Sequence, residues 1–419
     1  MQTFHENKQE TECVILVAVD TASGDAYSYD ADASLDELAE LADTAGAVVV
    51  GRLVQKLPHF NPAAYIGSGK IEELRAMIYA TKATGIITDD ELSPSQMANL
   101  SRELDVKVMD RTMVILDIFA AHAKSSEGKM QVELAQLEYR LSRLTGKGTS
   151  MSRLGGGIGT RGPGEKKLEQ DRRVIRKRVA QLKHEINDIT AHREITRKSR
   201  ENGRVPVFAI VGYTNVGKST LLNALTGAGI LAEDKLFATL DTTTRVFEYK
   251  KETGKQKILL TDTVGFIRKL PHNLIDAFRS TLEEARYADY IIHVVDASTH
   301  NRVEEMKVAY NTLDELGITG KKIITLFNKI DKITDDDMRI GLFDPRADKY
   351  LPISAKTGIG LDELPKVIDE ILRQDRVLIE KVFGYDEMSR IAQIKENGEI
   401  ISEEYLEDGI HLKAYIGGI

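Results

Sequence analysis

A multidomain α/β fold is predicted for this chain of 419 residues, and three observations predict it. Short β-rich apolar runs alternate with helical runs in two separate stretches, Val14 to Ala123 and Val205 to about Gln374, the pattern of mostly parallel sheets with crossover helices. Between them Leu134, Leu137, Leu141 and Leu144, and then Ile175, Val179, Leu182, Ile186 and Ile189, recur at helical spacing, which predicts two amphipathic helices packed as an antiparallel hairpin. The third observation is "GYTNVGKST", Gly212 to Thr220, a G-x-x-x-x-G-K-S run between the apolar "VPVFAIVG" and the helical "TLLNALTGAG", which is the strand-loop-helix context of a phosphate loop (P-loop). The expected domains are a small parallel α/β domain over 1–128, the hairpin with a basic Gly-rich loop over 129–203, the phosphate-loop domain over 204–374, and a small α+β unit over 375–419.

In the N-terminal domain "VILVAVD", "AVVVGRLV", "GIITDD" and "VKVMD" read as strands, and "LDELAELADTAG", "GKIEELRAMIYAT" and "SPSQMANLSREL" as helices. A second glycine signal, "YIGSGKIEEL", lacks the upstream glycine that a phosphate loop needs and reads as a helix start. The hairpin helices are joined by "GKGTSMSRLGGGIGTRGPGEKK", which has nothing to bury and is expected to be mobile. In the phosphate-loop domain "VFAIVG", "TRVFEYK", "KILLTDT", "YIIHVVDA", "KIITLFNK" and "YLPIS" read as strands; the tail reads as a strand, a helix and a hairpin with no visible catalytic constellation.

Composition is that of a soluble globular protein. The single cysteine, Cys13, excludes an internal disulfide framework and a multi-cysteine metal site and favours a reducing compartment, so a cytoplasmic location is expected; the expected state is a monomer. The polar start "MQTFHENKQETEC" has no signal-peptide core, and no apolar run reaches the roughly 18 residues of a membrane span, so neither secretion nor membrane insertion is expected. The net charge of -8 is unevenly spread: residues 140 to 200 hold 17 Lys or Arg against 6 Asp or Glu, a local +11 that leaves -19 on the remainder. One face therefore suits a polyanion, the alternative being a solvated helical face. A plain linker has no need of Lys147, Arg153, Arg161, Lys166 and Lys167, whereas a tip entering a phosphate-lined crevice does; Arg153, Arg161, Lys166 and Lys167 are the candidate nucleic-acid contacts.

The phosphate loop sets the chemistry. Its glycines let the N–H groups of Gly212, Tyr213, Thr214, Asn215, Val216, Gly217, Lys218, Ser219 and Thr220 converge on phosphate oxygens. Lys218 is placed for the β and γ phosphates and Ser219 for a Mg2+ ion, the expected cofactor. After Ser219, "LLTDTVGF" ends a strand with D-x-x-G: Asp262 is placed to hold Mg2+ through water, and Gly265, after Thr263 and Val264, to bring an N–H to the γ phosphate. "LFNKID" then supplies Asn328, Lys329 and Asp331; an aspartate accepts from guanine N1–H and N2–H together, which adenine cannot match, a discrimination of roughly 10^4. "PISAKTG" brings Ser354, Ala355 and Lys356 over the base. The four ordered motifs predict a P-loop GTPase. "KLFATLDTTTR" must hold the threonine that meets Mg2+ with GTP bound; Thr239 is the first choice over Thr242, Thr243 and Thr244, in part on the resemblance that follows.

The chain resembles the HflX family of ribosome-associated GTPases, in the group of Obg and Era, through "IGSGKIEEL", "DDELSPSQMANL", "VMDRTMVILDIFA", "QVELAQLEYRLSRLTG", "GGIGTRGPGEKKLE", "GYTNVGKSTLLNALTG", "LFATLDTTTR" and "LTDTVGFIRKLPHNLIDAFRSTLEEA". The resemblance implies that Phe237, Ala238, Thr239, Leu240 and Asp241 contact nucleotide and that Thr239 binds Mg2+, although Thr242 stands where the family usually has proline. It also implies docking of the N-terminal domain and hairpin at the large ribosomal subunit and splitting of stalled ribosomes by the GTP form. Where Ras-like proteins carry the glutamine that orients water, this chain has Phe266, so no catalytic side chain is assigned and an external activator is expected. Two rival readings are a GTPase accessory to RNA modification, for which no second catalytic site is visible, and a nucleotide-driven rRNA remodeller, for which no second phosphate loop is visible.

Overall fold

The structure, a computed structural model, describes residues 12–21, 31–144, 163–198, 205–227, 236–237, 242–251, 254–270, 284–333 and 341–417. It forms two compact units: Met1–Ala191 with Glu233–Asp241 and Lys269–Arg279, and His192–Ala232 with Thr242–Arg268 and Ser280–Ile419.

In the first unit β1 (Cys13–Thr21), β2 (Val48–Leu57), β3 (Gly85–Thr88) and β4 (Lys107–Asp110) form a parallel sheet in the order β2-β1-β3-β4. The central strand β1 is buried from Val14 to Val19, as expected of a strand covered by helices on both faces. Helices α1 (Ala31–Thr44), α2 (Ser68–Thr81) and α3 (Pro94–Leu104) make the crossovers. The second glycine signal opens α2, with Gly67 as its N-cap. Helix α3 starts on a capping box of Ser93 and Gln96 with proline in its first turn, which satisfies orphan N–H groups there.

Helix α4 (Arg111–His122) is missing from the helices read along the sequence because it is apolar on nearly all sides, with Val114, Ile115, Leu116, Ile118 and Phe119 buried; an encircling apolar helix loses the 3.6-residue signal. Helix α5 (Ser126–Arg143) follows, then the 36-residue α6 (Pro163–Lys198). Arg172 donates to the Leu144 carbonyl at 2.9 Å, Arg178 pairs with Glu133 at 2.7 Å and Lys183 with Glu138 at 2.8 Å, and Leu182 is fully buried. The predicted Gly-rich loop is shorter than the sequence suggested. Pro163 opens α6, its fixed φ suiting a first helical position, so Lys166 and Lys167 lie in helix, while Arg153 and Arg161 lie outside the described residues.

Asp110 joins these elements. Fully buried, it caps α4 through Met113 N–H at 2.9 Å, accepts from Leu92 N–H at 3.2 Å and from the Tyr139 hydroxyl at 2.8 Å, and pairs with Arg143 at 2.5 Å.

The second unit holds β5 (Val207–Gly212), α7 (Lys218–Thr226), β6 (Thr243–Lys251), β7 (Gly254–Asp262), β8 (Tyr290–Asp296), α8 (Arg302–Glu315), β9 (Ile323–Asn328), β10 (Lys349–Pro352) and α9 (Leu364–Gln374). The sheet order is β10-β9-β8-β5-β7-β6, with β6 antiparallel to β7 and the other pairs parallel. A three-stranded antiparallel sheet follows, in the order β11 (Arg376–Phe383), β13 (Gly409–Gly417), β12 (Glu399–Leu406), covered by α10 (Met388–Asn397) over Phe383, Ile391, Ile410, Leu412 and Ala414. Among the described residues no helix is long and apolar enough to cross a membrane.

Removing the Asp110 carboxylate strands the Arg143 guanidinium and uncaps α4. Asp110→Ala is therefore expected to cost about 3 to 5 kcal/mol. Urea denaturation followed by far-UV circular dichroism measures it; a loss below about 1 kcal/mol, the worth of one ordinary hydrogen bond, contradicts the hub.

Candidate nucleotide site

Strand β5 delivers the phosphate loop at the carboxyl end of the sheet, where open α/β folds place ligands. Gly212, at φ +151°, closes the strand so tightly that a Cβ would lie 2.2 Å from the Val294 carbonyl oxygen, and Gly217, at φ +96°, caps α7 where a Cβ would lie 2.4 Å from Asn328 Nδ2. Both positions need glycine on space and on backbone conformation. The N-terminus of α7 points its unsatisfied N–H groups into the loop. Tyr213 and Val216 are buried side chains, which leaves their backbones to face the loop.

Lys218 is buried, and its ammonium donates to the carbonyls of Gly212 at 3.2 Å and Tyr213 at 2.7 Å. Burial lowers its pKa to about 8, Lys329 adding to the effect and Asp262 opposing it. Ser219 donates through Oγ to Asp262 Oδ2 at 2.7 Å. Burial raises the Asp262 pKa against the pull of Lys218 and of the Ser219 hydrogen bond. Asp262 Oδ1 and Thr214 Oγ1 are buried with no hydrogen-bond partner among the described residues. Orphaned oxygens of this kind require an explanation. Two hard oxygen donors, Ser219 Oγ and Asp262, side by side beneath a phosphate loop fit Mg2+. Among the described residues no group of three or more His, Cys, Asp or Glu could hold a metal, so an ion here would share its shell with phosphate oxygens.

The turn after Asp262 is fastened to the phosphate loop. Thr214 N–H donates to the Phe266 carbonyl at 2.8 Å, and Phe266 N–H to the Gly212 carbonyl at 3.0 Å. The Tyr213 hydroxyl accepts from Arg268 N–H at 2.8 Å and the Thr263 hydroxyl donates to the Ile210 carbonyl at 2.7 Å. A Cβ on Gly265 would stand 2.9 Å from Thr214 Cα, so the two segments touch backbone to backbone. The Phe266 side chain is 2% exposed; it packs inside rather than facing a nucleophilic water.

At the neighbouring strand ends Asn328 bridges two loops, donating through Nδ2 to the Val216 carbonyl at 2.7 Å and accepting through Oδ1 from Ala355 N–H at 2.8 Å. Lys329, in the left-handed region at φ 63°, pairs with Asp296 at 2.8 Å. Ser354 Oγ donates to Asp331 Oδ1 at 2.6 Å and accepts from Thr357 N–H at 3.2 Å. Lys356 is exposed and Thr220 half-buried.

The structure thus brings together Gly212 to Thr220, Asp262 to Gly265, Asn328, Lys329, Asp331, Ser354 and Ala355. Thr243 and Thr244 belong to β6, Thr244 sharing a hydrogen bond with the Thr261 hydroxyl at 2.9 Å. Phe237 is buried in the first unit, its ring edge-on to Phe119 at 4.6 Å. Ala238, Thr239, Leu240 and Asp241 lie outside the described residues. Sequence reasoning missed the brace of Tyr213, the bridge through Asn328 Nδ2 and the Asp296 partner of Lys329. Only Asp296 left a trace, as an acid closing the strand "YIIHVVD".

Comparison with known proteins gives three consecutive family matches: GTP-binding GTPase N-terminal over residues 32–120, GTP-binding GTPase middle region over 122–200, and 50S ribosome-binding GTPase over 207–329. GTPase HflX of Lacrimispora saccharolytica is 57% identical over 416 residues, 99% of this chain and 96% of that protein. GTPase HflX of Caldanaerobacter subterraneus subsp. tengcongensis is 46% identical over 413 residues, 99% of this chain and 93% of that protein. A crystal structure of a GTP-binding protein from the archaeon Sulfolobus solfataricus in complex with GDP is 27% identical, covering 86% of this chain and 98% of that one at a TM-score of 0.43.

Two outcomes are expected from this geometry. Phosphate oxygens need the charged ammonium, and Lys218 loses its proton above a pKa of about 8 in the free protein. Below that pH affinity is flat in this group; above it, nucleotide affinity falls by up to about tenfold per pH unit as binding must first restore the proton. Calorimetric titration at a pH about one unit above the Lys218 pKa, in two buffers of different ionisation heat, counts the proton taken up, and zero uptake contradicts the lowered pKa. Phe266→Gln places an amide in a buried apolar slot, so it is expected to destabilise by about 3 kcal/mol without raising turnover. Faster single-turnover hydrolysis in that variant would show that position 266 reaches the water.

Proposed function

The chain belongs to the HflX family of GTPases, and from that premise we propose a GTP-driven switch that binds the large ribosomal subunit and splits or rescues stalled ribosomes, with hydrolysis stimulated by the ribosome. The work is divided among four domains, 1–128, 129–203, 204–374 and 375–419. The backbone N–H groups of 212–220 cradle the phosphates and Lys218 reaches the β and γ oxygens. Ser219, Thr239 and, through water, Asp262 would hold Mg2+, which neutralises charge developing on the phosphoryl group. Asp331, oriented by its bond from Ser354 Oγ at 2.6 Å, reads the guanine edge, with Asn328, Lys329, Ala355 and Lys356 around it. Gly265 senses the γ phosphate by its N–H, and residues 238–241 contact the nucleotide, Phe237 being committed instead to Phe119.

The observation that carries the ribosome assignment is the local +11 of residues 140–200 on a chain of net -8. On α6 Arg173, Arg176 and Lys177 are exposed, on a helix whose Arg178 and Lys183 pair with Glu133 and Glu138 of α5. The family match described as 50S ribosome-binding GTPase over 207–329 supports the same partner. Arg153, Arg161, Lys166 and Lys167 complete the proposed rRNA-contacting tip.

Because Phe266 is buried, the attacking water lacks a side chain from that position. Turnover without ribosomes is expected on the order of 10^-3 s^-1 or below, the regime of an unassisted Ras-type site, and purified large subunits are expected to raise it. Rapid hydrolysis by the protein alone, or no response to the subunit, would overturn the reading. In the same assay Asp331→Asn is expected to weaken GTP and favour xanthosine triphosphate, since the amide donates where the acid accepted; unchanged GTP affinity would remove Asp331 from base recognition.

A further inference from the structure

In the first unit a four-residue turn, Asp89 to Leu92, is held at both ends by side chains from distant regions of the chain. At one end Lys269 Nζ donates to Asp90 Oδ1 at 2.7 Å and to Asp89 Oδ2. Asp89 is 2% exposed and is already served by Arg111 at 2.6 Å and by the Ser34 hydroxyl at 2.8 Å. Asp90 also accepts from the Tyr65 hydroxyl at 2.6 Å. At the other end Arg143 donates to the Leu92 carbonyl at 3.1 Å and lies 3.4 Å from Glu91, while its guanidinium stacks over the Tyr139 ring at 3.4 Å and pairs with Asp110. Arg143 is the last residue of α5, immediately before the basic glycine-rich segment.

Burial of the Asp89 carboxylate is already compensated by Arg111, which contacts it through two nitrogens. A second cation from a side chain that is itself 36% exposed adds little to that compensation. Lys269 has another distinction: it sits in the left-handed region at φ 53° and follows directly on Arg268, whose N–H is bonded to the Tyr213 hydroxyl of the phosphate loop. Covalent continuity therefore joins the end of the D-x-x-G turn to a side chain that grips Asp89 and Asp90.

We propose that Lys269 and the Asp89–Leu92 turn form a relay that passes the nucleotide state of the phosphate loop to Arg143 and so to the start of the basic segment. Lys269 acts as a positioning residue, through the turn and not on the nucleotide. The Phe237 ring, edge-on to Phe119 of α4, makes a second foothold on the helix that Asp110 caps. The relay rests on the reading above in one respect, that the turn after Asp262 differs between the GTP and GDP states.

Hydrogen exchange by mass spectrometry on the full chain, loaded with GDP or with a non-hydrolysable GTP analogue, tests it. In the wild type, amides of 89–92 and 138–144 are expected to exchange differently in the two states. In Lys269→Ala that difference is lost while the protein stays folded, because Asp89 keeps Arg111. Lys269→Arg restores it, and Asp90→Asn, which keeps the Tyr65 bond, acts in the same direction as Lys269→Ala. A double variant is no worse than either single one, since both cut the same link. No difference in the wild type, or a difference that persists in Lys269→Ala and Asp90→Asn, overturns the relay. Pelleting with large subunits separates the two proposals. A relay intact by exchange with no subunit binding sinks the ribosome reading alone, whereas nucleotide-dependent binding retained by Lys269→Ala sinks the relay alone.

Discussion

Two backbone hydrogen bonds, Thr214 N–H to the Phe266 carbonyl and Phe266 N–H to the Gly212 carbonyl, hold the phosphate loop and the turn after Asp262 side by side. The close approach is possible only because Gly212, Gly217 and Gly265 carry no Cβ where backbone or Asn328 intrudes. Everything that a triphosphate could influence follows from that fastening. It sets Ser219 against Asp262, brings Gly265 so near Lys218 that a Cβ there would lie 2.9 Å from its Nζ, and turns the phenyl ring of Phe266 inward. A side chain committed to the interior cannot also orient a water, so position 266 contributes packing rather than a hydrogen bond to a nucleophile.

The electrostatics follow the same geometry. Lys218 is desolvated and its pKa lowered, Asp262 is desolvated and its pKa raised, and both are groups whose charged forms are favoured by a ligand carrying phosphate and a divalent ion. Among the described residues the site carries two poorly solvated charges and orphaned oxygens, a cost that such a ligand would offset. Asn328 and Ser354, by contrast, are already satisfied through Val216, Ala355 and Asp331. The side chains at the ends of β9 and β10 are thus already hydrogen-bonded, whereas Asp262 Oδ1 and Thr214 Oγ1 on the phosphate-loop side have no partner among the described residues.

The first unit applies a parallel logic to buried charge. Arg111 and Asp89, and Arg143 and Asp110, are pairs whose partners are further tied by hydroxyls and backbone groups. Buried ion pairs of this kind contribute little net stability, but removing one partner is costly, so they specify which elements meet. Here they fix α1, α4 and α5 to the carboxyl ends of β3 and β4, which is where Lys269 arrives.

The parallel sheets, the phosphate loop, the D-x-x-G turn and the loops after β9 and β10 were all legible in the sequence, because each depends on a local pattern: strand-loop-helix spacing, glycine at forced positions, an acid or amide at a strand end. Helix α4 was not, since its apolar residues run all round the helix. Nor was the true end of the basic loop, which Pro163 sets by starting a helix in a segment that composition alone marks as unstructured. Packing in three dimensions was needed for the inward turn of Phe266, the Tyr213 brace, the bridge of Asn328 and the joint of Lys269 with Asp89 and Asp90. These bonds link residues as far as 180 positions apart, and whether two such side chains meet is set by how strands and helices pack, a condition no local spacing encodes.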